Sequence, residues 1–175
     1  NHWGRGLDRL GVAALRHTLN SAHRDYLAAG GMGAVLDIQD NDFRRGAAMK
    51  VIHGKFADDP QALERFLAEA QVTAQLEHPG IVPVHDLEVL PDGTVFYTMK
   101  KVEGRTLSDL LGDSSRPDHV AASSTPPPPG PGIDDVLQIG LKVCDTVAFA
   151  HSRRVIHRDL KPRNLMIGRY GEVLV

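Results

Sequence analysis

Apolar positions recur along the chain with two different periods, and the switches between them mark the elements. Ala34–Ile38 and Gly46–Ile52 read as strand-like runs joined across an Asn41-Asp42 turn. Asp59-Pro60 supplies an N-cap acid followed by proline in the first turn. Leu63, Phe66, Leu67, Ala70 and Ala74 then recur at helical spacing and predict a buried helix face, which His78-Pro79-Gly80 closes. Ile81–Val89 and Thr94–Val102 are two apolar runs around Pro91-Asp92-Gly93, the pattern of a hairpin. Thr106–Leu111 predicts a short helix capped by Thr106 or Ser108. A longer helix, capped by Asp134 or Asp135, runs to about His151. Leu137, Leu141, Cys144 and Ala148 line one of its faces with Val136, Val143 and Val147 beside them, and so wide an apolar arc predicts deep burial. Val155-Ile156 and Leu165-Met166-Ile167 read as strands flanking a loop that is polar at nearly every position, and Glu172–Val175 reads as a last strand.

Two stretches fall outside this pattern. Residues 1–23 are basic and histidine-bearing, with only a weak stripe at Leu7, Leu10, Ala14 and Leu15, and read as an extension or linker. Residues 113–132 hold six of the chain's 11 prolines and read as a surface spacer. The chain has 175 residues, enough for one good core or two small lobes, and its 42% apolar and 24% charged residues suit a globular protein. A formal net charge of −2 points to no nucleic-acid or membrane-surface partner. The single cysteine, Cys144, excludes an internal disulfide and a cysteine-cluster metal site, and reads as a small core residue. No apolar run approaches the roughly 18 residues of a membrane span, and no signal peptide is legible. The chain starts at Asn1 and stops in a strand-like run, so the expectation is a piece of a longer protein of cytoplasmic location, whose parent could carry a membrane segment or regulatory domains elsewhere.

The chemistry concentrates in the loop before Leu165. Asp159 offers a base for a hydroxyl proton, Lys161 a cation for phosphate charge, and Asn164 an amide oxygen for Mg²⁺. Glycines at Gly30, Gly31 and Gly33 would let backbone N–H groups approach an anion, although for an isolated Gly-Gly-x-Gly a tight hairpin turn is the better reading. A Rossmann phosphate loop needs a helix directly after the glycines, and a strand-like run follows instead. Lys50, inside an apolar strand, either points to solvent or needs a partner acid, and Glu69 lies beside the apolar face of the following helix.

The string His157-Arg158-Asp159-Leu160 with Asn164, preceded in order by the glycine stretch, Lys50 and Glu69, resembles the eukaryotic-like (Hanks-type) serine/threonine protein kinases. Lys161-Pro162 is similar to their serine/threonine branch, and Gly30-Gly31-Met32-Gly33 to bacterial members. The resemblance implies an α+β, protein-kinase-like fold. Its N-lobe, an antiparallel β-sheet with one helix, would span residues 24–102 with the hinge, and the start of a mainly α-helical, truncated C-lobe would span 103–175. It implies transfer of the ATP γ-phosphoryl group to serine or threonine hydroxyls of protein substrates. Asp159, Lys161 and Asn164 would be catalytic, with Asn164 also holding Mg²⁺. Leu27, Ala28, Gly30, Gly31, Met32, Gly33 and Val35 would cover ATP, Lys50 oriented by Glu69 would hold its α- and β-phosphates, and Met99, Lys100 and Val102 would bound the adenine. The first glycine of the family's G-x-G-x-x-G is Ala28 here. His157 would be structural, packed under the loop, and Arg158 would meet a phosphorylated activation loop. The family's second metal ligand, an Asp before Phe-Gly or Trp-Gly, would follow Val175. The 175-residue piece is therefore expected to be inactive and marginally stable alone, with apolar faces of the 134–151 helix exposed. A pseudokinase or ATP-binding scaffold and a small-molecule phosphotransferase are the alternatives.

Overall fold

The computed structural model describes residues 17–19, 26–29, 33–52, 56, 59–90, 93–112 and 130–175. The described residues form two compact units. The first takes in those up to Gln75 together with Pro83–Lys101, and the second takes in Leu76–Val82 and those from Val102 onward.

The first unit is an antiparallel sheet with one helix. Its strands are β1 (His17–Leu19), β2 (Tyr26–Ala29), β3 (Gly33–Asp40), β4 (Arg45–Ile52), β5 (Val84–Val89) and β6 (Val95–Lys100). They lie in the order β1-β3-β4-β6-β5, with β2 also paired to β3. Alternating side chains make both sheet faces apolar. Leu36, Ile38, Ala47, Met49, Val51, Leu90 and Phe96 form one cluster, while Ile52, Val95 and Tyr97 meet Phe66 and Ala70 of helix α1 (Pro60–Gln75) in another. Asp59 caps α1, its carboxylate accepting the Gln61 N–H at 3.0 Å. The buried stripe of α1 is Ala62, Phe66 and Ala70, with Leu63 and Leu67 half-buried at its edge. Ala74 is exposed, contrary to the spacing argument. Each four-residue step rotates about 40° around a helix, so the end of a long i, i+4 series leaves the face it began on. Between β3 and β4 the nearly buried Asp40 carboxylate accepts the N–H groups of Asp42 and Phe43, both at 3.2 Å. Gly93 turns β5 into β6 with φ 84° and donates to the Leu90 carbonyl at 2.9 Å; Pro91 and Asp92 lie outside the described residues.

The second unit packs a three-stranded sheet, β7 (Gly104–Thr106), β8 (Met166–Gly168) and β9 (Val173–Leu174), with helices α2 (Leu107–Leu110) and α3 (Ile133–Ser152). Thr106 opens α2 in a capping box. Its hydroxyl accepts the Asp109 N–H, and the Asp109 carboxylate accepts the Thr106 N–H, both at 3.1 Å. The cap of α3 is Gly132 rather than Asp134 or Asp135, and Asp135 instead accepts the Gly132 N–H at 3.0 Å from inside the first turn. The proline-rich spacer falls almost wholly outside the described residues.

The structure buries a different face of α3 from the one lined by Leu137, Leu141, Cys144 and Ala148, and leaves that apolar face exposed, as expected for a piece of the domain. Leu137 and Leu141 are each 59% exposed, and Cys144 and Ala148 are exposed as well. The packed stripe is Ile139, Val143 and Val147, set against Leu107, Leu165 and Val173. It includes Thr146, at 2% exposure, whose hydroxyl donates to the Lys142 carbonyl at 2.8 Å. The helix is apolar on more than one side, and its contacts with the sheet choose between them. Cys144 lies on that exposed face of the 175-residue chain.

Two glycines give a matched test of this packing. A Cβ on Gly104 would run into the Ile167 carbonyl across the β7–β8 pair, whereas one on Gly140 of α3 meets nothing within 4 Å. Gly104→Ala is expected to destabilise the chain by about 1–3 kcal/mol through overpacking. Gly140→Ala is expected to stabilise it by roughly 0.5–1 kcal/mol through helix propensity. Urea denaturation of the two variants should show midpoints moving in opposite directions; a shared direction contradicts the packing described.

Candidate functional site

The first unit contributes a row of side chains fixed by strand register. Val35 of β3 pairs with Lys50 of β4, and Lys50 pairs with Tyr97 of β6. Directly paired residues on neighbouring strands share a face. The adjacent row is Asp37, Ala48 and Met99. The face carrying Lys50 and Tyr97 meets α1, whose Phe66 ring lies 5.2 Å from that of Tyr97. One turn beyond Phe66, the Glu69 carboxylate forms an ion pair with Lys50 Nζ. The structure thus unites Lys50 and Glu69, 19 residues apart in sequence.

Tyr97 was not singled out in the sequence. Its hydroxyl donates to Glu69 Oε1 at 2.9 Å, the same oxygen that faces Lys50. Lys50 Nζ also lies 5.7 Å from the centroid of the Tyr97 ring and 6.0 Å from that of Phe66. Burial, then the charge of Glu69 and the hydrogen bond to it, push the phenol far above its usual range, so it remains a proton donor. A signal for it existed. Tyr97 stands two residues before Met99, and residues two apart on a strand share a face.

Of the other expected contacts, Met99 is half-buried beside the α1 cluster, Lys100 is exposed and gives its N–H to the Pro83 carbonyl at 2.9 Å, and Val102 is half-buried. Lys101 Nζ pairs with the Asp37 carboxylate at 2.6 Å. Leu27 and Ala28 lie on β2, with Ala28 in register with Val35. Gly30, Gly31 and Met32 lie outside the described residues. Gly33 has a packing reason of its own, because a Cβ there would come within 2.5 Å of the Val51 carbonyl oxygen.

The second unit holds the polar loop, though only one flank is a strand. Val155 and Ile156 form none; the Val155 N–H reaches back to the Ala150 carbonyl at 3.0 Å, and Ile156 is 64% exposed. Two apolar residues are too short a run to distinguish a strand from a helix exit. The loop is held by the end of α3 on one side and by β8 on the other. Arg154 and Arg158 adopt left-handed backbone, with φ of 62° and 63°, a conformation that costs a non-glycine residue about 1–2 kcal/mol. His157 is exposed rather than packed beneath the loop, and its Nδ1 accepts the Asp159 N–H at 3.3 Å. A 3₁₀ turn at Pro162–Asn164 returns the chain toward Asp159.

There three polar groups meet. Lys161 Nζ lies 2.9 Å from Asp159 Oδ1 and 2.8 Å from Oδ2. Asn164 Nδ2 donates to the Asp159 carbonyl at 2.8 Å and to its Oδ2 at 2.9 Å. The hydrogen bond from Lys161, followed by that from Asn164, holds the exposed Asp159 carboxyl below the usual carboxylate range. Asp159 therefore stays ionised to lower pH than a free aspartate and protonates only as pH falls through that depressed value. Lys161→Met removes the leading cause, so Asp159 should titrate closer to an ordinary aspartate, which a carboxyl-carbon NMR titration would read. An unmoved midpoint would show that Lys161 does not set it.

Among the described residues no cluster of three or more His, Cys, Asp or Glu could hold a metal ion by itself. With its amide nitrogen turned to Asp159, Asn164 has Oδ1 as its remaining amide atom, a hard oxygen of the kind Mg²⁺ takes alongside phosphate oxygens. No helix among the described residues is long and apolar enough to cross a membrane.

Residues 22–174 match the family described as protein kinase domain. The chain is 39% identical over 149 residues to the serine/threonine-protein kinase PknD of Protochlamydia amoebophila, covering 85% of this chain and 15% of that protein. It is 38% identical over 150 residues to PknD of Chlamydia muridarum, covering 85% and 16%. The chain thus spans about a sixth of the length of these relatives. Among solved structures, the PknI kinase domain of Mycobacterium tuberculosis aligns with a TM-score of 0.63 at 29% identity, covering 86% of this chain and 54% of that one.

Proposed function

This chain belongs to the protein kinase domain family, and on that premise we propose that it serves ATP-dependent phosphorylation of serine and threonine hydroxyls in proteins. The observation that carries the reading is the Asp159 carboxylate held by Lys161 and Asn164. Such a carboxylate can accept a hydroxyl proton as the oxygen attacks phosphorus. Lys161, paired with Asp159, would stabilise charge on the transferring phosphoryl group.

Lys50, oriented by Glu69, would bind the α- and β-phosphates of ATP. Val35, Ala48 and Met99, on the same sheet face as Lys50, would pack against the nucleotide's apolar parts. Leu27 and Ala28 on β2 and the glycines at 30, 31 and 33 with Met32 would cover it, and Lys100 and Val102 would offer main-chain groups to adenine. Mg²⁺ would sit on Asn164 Oδ1 and phosphate oxygens, neutralising phosphate charge. The test is transfer of γ-phosphate from ATP to serine or threonine by the full-length protein, with Asp159→Asn as the inactive control. A variant that transfers phosphate as fast as the parent contradicts the assignment.

A further inference from the structure

We infer that Tyr97 is a positioning residue for phosphate binding, its hydroxyl fixing the Glu69 carboxylate in the orientation that meets Lys50. The inference rests on the kinase reading above and deepens it within one unit of the fold.

Glu69 is not fixed by burial. Its side chain is 39% exposed, on the edge of α1 rather than in its core. A glutamate there has three rotatable bonds and water as a competing partner, so an ion pair with Lys50 alone holds it loosely. Tyr97 differs in each respect. It is 4% exposed, in the same apolar cluster as Ile52, Phe66, Ala70 and Val95. Its ring is wedged against Phe66 at 5.2 Å with a 48° tilt. Pairing with Lys50 on one side and Leu87 on the other fixes its strand position. A rigid donor thus reaches a flexible acceptor, and it does so at Oε1, the atom that also takes Lys50.

A buried tyrosine always needs a hydrogen-bond partner, and a core tyrosine satisfied by the nearest oxygen would show the same contact. Two features favour the positioning role. The acceptor is a single carboxylate oxygen shared with the lysine, and the Tyr97 ring also faces the Lys50 ammonium at 5.7 Å. Both ends of the ion pair therefore touch Tyr97, and a hydrogen bond to a charged group is among the stronger ones. The phenol's raised pKa keeps the donor protonated wherever the ion pair persists. If α1 moved away from the sheet, Glu69 would lose the phenol and Lys50 together, so Tyr97 also ties the ion pair to the seated position of the helix.

The experiment is a double-mutant cycle in the full-length protein with KM for ATP, kcat and melting temperature as readouts. Tyr97→Phe keeps the ring, its packing on Phe66 and its face toward Lys50, and removes only the hydroxyl. It is expected to raise KM for ATP about tenfold, the scale of one hydrogen bond to a charged group, with a much smaller change in kcat and little change in melting temperature. In a Glu69→Gln background, the same substitution is expected to add little to KM. An unchanged KM in Tyr97→Phe overturns the inference. So does an equal rise with and without Glu69, which assigns the effect to packing alone. Lys50→Met separates this from the broader reading: if it leaves ATP binding intact, the kinase assignment of this face fails and the role of Tyr97 with it. If Lys50→Met abolishes binding while Tyr97→Phe does nothing, only the positioning role is lost.

Discussion

Asp159→Asn is expected to lower kcat for phosphotransfer by roughly 10²–10⁴-fold, the range of general-base contributions, while leaving ATP affinity nearly unchanged. The substitution is close to isosteric, and an amide oxygen in the place of Oδ2 can still accept from Lys161 and Asn164, while the amide nitrogen, itself a donor, loses the contact that Oδ1 makes with Lys161. What disappears is the negative charge and the basic lone pair. The phosphate-binding groups assigned to the sheet, Lys50 with Glu69, lie in a different unit and are untouched. A fall in kcat without a rise in KM for ATP is thus the signature of a group used in the chemical step rather than in holding the nucleotide. Single-turnover phosphotransfer separates that step from product release, and a rate within a few-fold of the parent would sink the proposed role. A large loss of ATP affinity would point instead to Asp159 organising the loop.

The second large effect concerns stability. Phe66→Ala is expected to destabilise the protein by about 3–5 kcal/mol, the usual cost of emptying a phenylalanine site in a core. Phe66 is 0% exposed and lies at the contact of α1 with the sheet, among Ile52, Ala70, Val95 and Tyr97. A cavity there has walls on a helix and on strands, which cannot both relax inward without breaking their hydrogen bonds. The same change removes the ring that wedges Tyr97 and lies beneath the Lys50 ammonium, so ATP affinity should fall in the surviving folded protein. Val72→Ala on the solvent side of α1, where Val72 is 36% exposed, should cost far less. Urea denaturation compares the two. A Phe66→Ala midpoint no lower than that of Val72→Ala would contradict the core assigned to α1.

Much of the local chemistry set by neighbours in the chain was legible in the sequence. The Asp59 cap, the positive-φ glycine at Gly93 and the Thr106 cap all depend on contacts within a few residues, and each stands where the pattern puts it. Lys50 and Glu69 were legible for a different reason: a resemblance to a family supplied the pairing that composition could not. Two misses are local, the cap of α3 at Gly132 and the exposure of Ala74; the others are long-range. Helix α3 is apolar on two sides, and within this chain Val143 packs against Leu107, Leu165 and Val173 while Leu141 stays exposed. Val155-Ile156 has a strand's composition, but no strand among the described residues pairs with it. Tyr97 has a partner across a strand pair and another on a helix, and neither relation exists until the sheet register is known.

The register that aligns Val35, Lys50 and Tyr97 also governs which changes of length the fold can absorb. The side-chain period of a strand is two, so a one-residue insertion within Ala47–Met49 would flip Lys50 to the opposite face, among Leu36, Ile38 and Phe96. The ladder could re-form, but it would bury an unpaired ammonium and leave Glu69 with no cation. The same insertion among Asn41–Arg44, an exposed turn, would lengthen a loop and leave every pair in place. Natural length variation should therefore collect at that turn and be absent from the three residues before the lysine.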